Sequence, residues 1–177
     1  YEQSNDDVVE FLTNSDLDKI MADGICMARA CARMLPGYFG DQNKYNEFKK
    51  DLCDEIQQVA NWTDEDWEKI LGRSLAQHLE LSFNPSQFPA KKRQAGESDS
   101  DYFRLIFMEE KRWFGDCELK LVAVMFHQPI LIISGEGNDV FITDLYRTST
   151  PVMSEEREKE AIVFRFRGNH YEPYSRK

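Results

Sequence analysis

The spacing of apolar residues changes once along the chain: it follows helical steps up to about residue 126 and becomes continuous or alternating beyond Pro129. The pattern therefore predicts helices first and strands afterwards. Residues 1 to 22 are acidic and weakly periodic, with Val8, Val9, Phe11, Leu12, Leu17 and Ile20 suiting one or two short helices on the domain's flank. From Ile25 to Leu35, Met27, Ala30, Cys31 and Met34 fall at helical spacing, and Pro36-Gly37 closes the segment. Apolar on most faces, this helix should be central. Tyr45, Phe48, Leu52, Ile56 and Val59 mark an amphipathic helix over about 43 to 60, with Lys49, Lys50, Asp54 and Glu55 on its other face. Thr63 ahead of Asp64-Glu65-Asp66 reads as an N-cap with an acidic first turn. It opens a third helix carrying Trp67, Ile70, Leu71, Leu75 and Leu79, with Trp62 and Trp67 stapling its start.

Residues 84 to 101 hold two prolines and a basic-then-acidic run, the signature of a surface loop. Tyr102 to Met108 suits a strand or a short helix equally. Glu118 to Phe126 reads as a buried helix, closed by His127-Gln128-Pro129. Pro129 to Ser134 then forms a short buried strand, 135 to 138 a turn, and Val140 to Leu145 its hairpin partner. After a charged loop over 147 to 160, Ile162, Phe164 and Phe166 alternate with Val163, Arg165 and Arg167. This period-two strand delivers Gly168-Asn169-His170-Tyr171 at its end. The layout is α+β, with a mostly antiparallel sheet.

At 177 residues the chain suits one domain, 1 to 177 with its core at about 17 to 174, that folds without metal or disulfide staples. Opening on Tyr1, it reads as a domain excised from a longer parent. Lys and Arg number 22 against 32 Asp and Glu, and the net charge of −10 disfavours nucleic acid as a partner. Four cysteines without a CxxC pair, and three scattered histidines, make neither a disulfide framework nor a metal site, so a reducing compartment and no metal are expected. The longest apolar run, Leu121 to Phe126, is far short of the roughly 18 residues of a membrane span, and the acidic N-terminus is no signal peptide.

Two places could carry chemistry. Cys26 lies in the first turn of a helix, where a thiol's pKa falls, and Gly24 lets a carbonyl approach the backbone N–H groups of that turn. The plainer alternative is a small buried apolar residue after an ordinary helix-initiating turn. His170 follows a strand, and Glu172, two residues on, lies on the same side in extended geometry, a base with an orienting acid. The plainer alternative there is a hydrogen-bonded structural histidine. Cys31, Cys53 and Cys117 read as core, His78 and His127 as residues near helix C-termini, and Lys91-Lys92-Arg93 as too short for nucleic acid.

The segment Asp23-Gly24-Ile25-Cys26, continuing to Arg29, resembles the Asp-Gly-x-Cys signature of the ovarian tumour (OTU) domain family of cysteine deubiquitinases. Trp113-Phe114-Gly115 with Glu118-Leu119 is similar to that family's Trp-Gly…Glu-Leu helix, and Asn169-His170-Tyr171 to its terminal His-aromatic motif. The three motifs stand in the family's order and cover about 23 to 174. The resemblance implies a papain-like fold and a thiol protease acting after the C-terminal glycine of ubiquitin or a ubiquitin-like modifier, through a thioester and without a cofactor. Cys26 is the implied nucleophile and His170 the base. Gly24, Ile25, Trp113, Phe114, Gly115, Asn169 and Tyr171 would line the substrate channel. Two positions depart from the family pattern: Ile25 stands where Asn is usual and Glu172 where Asp or Asn is usual. Glu172 must fold back to reach the imidazole Nδ1, so the orienting acid is Glu172 or, failing that, Asp23. A silent ubiquitin-binding module and another papain-like thiol protease are the alternatives. The implied protein is a cytoplasmic monomer, in host cytoplasm if the parent is a bacterial effector or a viral protein.

Overall fold

The computed structural model describes residues 15–17, 19–20, 25–82, 93–108, 116–134, 141–146, 161–167 and 170–176. Helices come first and most strands last, as the change of period predicts. Strand β1 (Ser15–Leu17) is followed by α1 (Cys26–Met34), a 3-10 turn at Gln42–Lys44, and α2 (Tyr45–Gln58). Next come α3 (Asp64–Leu71), α4 (Leu75–Ser82), α5 (Asp99–Phe107) and α6 (Asp116–Met125). Strands β2 (Ile130–Ser134), β3 (Phe141–Tyr146), β4 (Ile162–Arg167) and β5 (His170–Arg176) complete the order.

The five strands form one sheet in the order β1-β5-β4-β2-β3. Three neighbouring pairs are antiparallel and β2 with β4 is parallel, so the sheet is mostly antiparallel. Alternation sorts its side chains cleanly. Ile130, Ile132, Ile162, Phe164 and Tyr171 join the helical core cluster. Leu131, Ile133, Val163 and Tyr174, of opposite parity, are buried outside it.

Helix α1 is central because its residues are small: Ala28, Ala30, Cys31 and Ala32 are fully enclosed, and short side chains let neighbouring elements close on every side. It ends where Pro36 forces Leu35 into an extended conformation (φ −76°, ψ 144°). Phe48, Leu52 and Ile56 of α2 and Leu119, Val122 and Ala123 of α6 fill the same core.

The structure corrects several expectations. Ser15–Leu17 is a strand and not part of a helix: pairing with β5 supplies hydrogen bonds that its weak periodicity did not reveal. The rest of the N-terminal expectation, and the loops and turns at 83–92, 135–140 and 147–160, lie outside the described residues. The third helix is two. Gly72 adopts the left-handed conformation (φ 74°), ending α3, and Ser74 and Gln77 exchange backbone-to-side-chain bonds that start α4. Thr63 caps α3 in a reciprocal pair with Asp66, and the Trp62 and Trp67 rings meet at 5.1 Å. The loop through 101 ends sooner, since Ser98 caps α5, and Tyr102 to Met108 resolves as helix with Met108 as its C-cap. Lys49, assigned to a polar face, is fully buried with its ammonium 5.8 Å from the Phe107 ring. Finally, His170 does not trail the strand before it. It begins β5, whose residues from Tyr174 to Arg176 also pair with β1.

Candidate active site

Cys26 is the first residue of α1, as the sequence places it. A helix N-terminus presents N–H groups and partial positive charge, which a capping side chain or an acidic first turn ordinarily absorbs. Here Ile25 occupies the N-cap with no side-chain capping bond, and no acidic residue lies in the first turn of α1. The sulfur therefore sits in the part of the helix field that stabilises thiolate. Cys26 is 3% exposed and Ile25 4%, so both border the core. One turn on, Arg29 is buried, donating to Asn43 Oδ1 at 3.1 Å and lying 4.5 Å over the Tyr45 ring, which ties α1 to the start of α2.

Helix α1 packs against β5. That contact carries the Cys26 helix onto the strand that begins with His170, 144 residues (170 − 26) further along the chain. His170 and Glu172 share a face of β5 by alternation, with His170 Nε2 and Glu172 Oε2 3.6 Å apart and side chains 24% and 15% exposed. The nitrogen turned to the acid is Nε2 and not the expected Nδ1, which corrects the sequence reading. The two side chains start two residues apart on one strand, so the longer Glu reaches the far nitrogen of the ring. Tyr171, between them, points the other way and packs on Phe166 with ring centroids 4.7 Å apart.

Two members of this neighbourhood escape a reading of the sequence. The β4–β5 register sets Arg165 directly opposite Glu172. Burial pushes the Tyr174 phenol's pKa up, and the nearby Arg165 guanidinium pulls it partly back. Alternation over 162 to 167 marks Arg165 as polar, but only β5 as its partner strand gives it a role.

The other thiols differ in kind. Burial pushes the Cys31 thiol far up and Cys53 up to about 12. Cys31 Sγ meets Met27 Sδ at 3.6 Å inside the core. His78 is enclosed, its Nε2 3.5 Å from Glu118 Oε1, so it ties α4 to α6 instead of facing solvent. His127 is exposed just past α6, at positive φ (50°). Asp23, Gly24, Trp113, Phe114, Gly115 and Asn169, and the side chain of Cys117, lie outside the described residues. Among the described residues, no group of His, Cys, Asp and Glu is arranged to hold a metal ion, and no helix is long and apolar enough to cross a membrane.

Comparisons with known proteins place this geometry. A family model described as OTU-like cysteine protease matches residues 21–171. No curated protein matches the sequence. Among solved structures, the viral OTU domain protease of Farallon virus superposes with a TM-score of 0.60 at 14% identity, over 94% of this chain and 87% of that one. The OTU domain of OTUD1 gives 0.56 at 20% identity, over 94% and 93%. An OTU deubiquitinase from Wolbachia pipientis wMel, solved bound to ubiquitin, gives 0.53 at 13% identity, over 93% and 97%.

Proposed function

Because this chain belongs to the OTU-like cysteine protease family, we propose that it is a thiol-dependent deubiquitinase that hydrolyses isopeptide or peptide bonds after the C-terminal glycine of ubiquitin. The observation that carries the reading is the pairing of elements. A helix that begins with Cys26, with Ile25 at its N-cap, packs on a strand that begins with His170 beside Glu172. Ubiquitin as substrate is supported by the Wolbachia enzyme, solved with ubiquitin at a similar fold.

In this mechanism His170 takes the Cys26 proton through Nδ1, while Glu172 holds the ring by Nε2. The thiolate attacks the glycine carbonyl carbon, and backbone N–H groups at the start of α1 receive the oxyanion, with Gly24 and Ile25 the residues the resemblance assigns to that role. As the tetrahedral intermediate collapses, the C–N bond breaks and His170 returns its proton to the departing amine. A thioester between Cys26 and ubiquitin remains. Water then gives a proton to His170 and its oxygen to the carbonyl carbon, releasing the ubiquitin carboxylate and the thiol. The resemblance assigns Trp113, Phe114, Gly115 and Asn169 to the channel for the diglycine tail, whereas Tyr171, buried against Phe166 on the opposite face of β5, braces the strand from the core side instead of lining that channel. Glu172 is the orienting acid, and Asp23 is its competitor on the Cys side.

Ubiquitin carrying a C-terminal electrophile tests the reading. One covalent adduct at Cys26, mapped by mass spectrometry, is the expected result, with Cys26→Ala inert and His170→Ala slowed at least about a hundredfold. An adduct at Cys31 or Cys53 in folded protein, or cleavage of general peptides with ubiquitin conjugates ignored, would overturn it.

A further inference from the structure

We infer that Arg165, the cross-strand partner of Glu172, is a positioning residue that confines the Glu172 carboxylate to the side of His170; the inference rests on the catalytic reading just proposed. The sheet register is its foundation. Arg165 on β4 and Glu172 on β5 are direct cross-strand partners, so their side chains leave the same face with Cβ atoms about 4.5–5.5 Å apart. His170 and Tyr174 flank Glu172 on that face. One β4 cation thus stands opposite the middle of a row of three polar side chains on β5.

The chemistry of each member suits such a role. Arginine is charged at every accessible pH and carries a rigid planar fork of five N–H donors and no acceptor. The Tyr174 hydroxyl, on the same face of β5 as Glu172, is placed to accept from one of them. The register sets the fork on the face that Glu172 shares. The setting is part-apolar: Val163, two residues before Arg165 on the same face, is buried, as is Ile133, its register partner on β2. In such surroundings a guanidinium acts on a nearby carboxylate more strongly than it would in open water.

The departure at Glu172 supplies the need. Glutamate has one more rotatable bond than the Asp or Asn usual in the family, so an unrestrained carboxylate spends more of its time away from the imidazole. The 3.6 Å approach to Nε2 needs a second hold, and Arg165 is the cation that the fold places opposite.

The experiment is a set of double-mutant cycles in the full chain, following turnover of a ubiquitin C-terminal fluorogenic conjugate. Arg165→Met should lower kcat about tenfold with KM nearly unchanged, and Tyr174→Phe, which deletes a single oxygen, about threefold. In a Glu172→Ala background neither should cost anything further, because the carboxylate they confine is gone. Arg165→Lys, keeping charge without the fork, should recover part of the loss. Equal losses in both backgrounds would make Arg165 merely structural and overturn the inference, as would full rate in Arg165→Met. Should Arg165→Met fail to fold, the Tyr174→Phe cycle decides alone. Full rate in Glu172→Ala with Cys26→Ala and His170→Ala inert would sink this inference and leave the proposed function standing. Turnover by Cys26→Ala would instead sink the function itself.

Discussion

A thiol reacts through its anion, so the fate of each cysteine follows from what its surroundings do to a negative sulfur. Cys31 and Cys53 sit where burial opposes that charge, whereas Cys26, also buried, has a helix start that favours it. Iodoacetamide offered to folded protein near pH 8 should therefore label Cys26 and spare Cys31 and Cys53 until denaturant is added, as peptide mapping would show. Comparable labelling of Cys31 or Cys53 in the folded state would contradict the ranking. That Cys26 stands at a helix start was legible in the sequence because its signal is local: Asp23-Gly24 just ahead of a run of apolar residues at helical steps. Lys49 was not, since nothing around it in sequence announces that the Phe107 ring from another helix will cover its ammonium.

At the scale of elements, the break between α3 and α4 isolates backbone strain from packing. Gly72 holds φ 74°, and a Cβ added there would meet nothing within 4 Å. Gly72→Ala should thus destabilise by about 1–2 kcal/mol through conformation alone and lower Tm by roughly 2–8 °C, measured by calorimetry. An unchanged Tm would mean that the turn relaxes. The apolar steps Trp67, Ile70, Leu71, Leu75 and Leu79 run through this glycine with hardly a slip, which is why periodicity alone joins two helices into one. β5 was hidden for a different reason. Its sequence carries Pro173, which argues against a strand flanked on both sides. The register resolves the conflict, because β1 pairs with Tyr174 to Arg176 and stops short of the proline. Helices α1, α2 and α6 and strands β2, β3 and β4 were readable because each has one dominant apolar period. The partners of β5, and hence Arg165 opposite Glu172, depend on pairings that no local window contains.

Across the whole molecule, the buried His78–Glu118 pair joins α4 to α6 through the core. Removing one partner leaves the other polar and enclosed, so His78→Leu or Glu118→Leu alone should cost about 3–5 kcal/mol in urea unfolding. The double replacement should cost less than the sum of the singles. Strict additivity would show that the two do not interact. The sheet order has a consequence for biosynthesis. The strand that carries His170 lies between β1 and β4, so the sheet closes only after the final strand emerges. At roughly 5–20 residues per second, the ribosome delivers Cys26 several seconds to half a minute before His170. Throughout that interval the nascent chain carries the proposed nucleophile without its proposed base, so on the function proposed above no proteolysis precedes synthesis of β5.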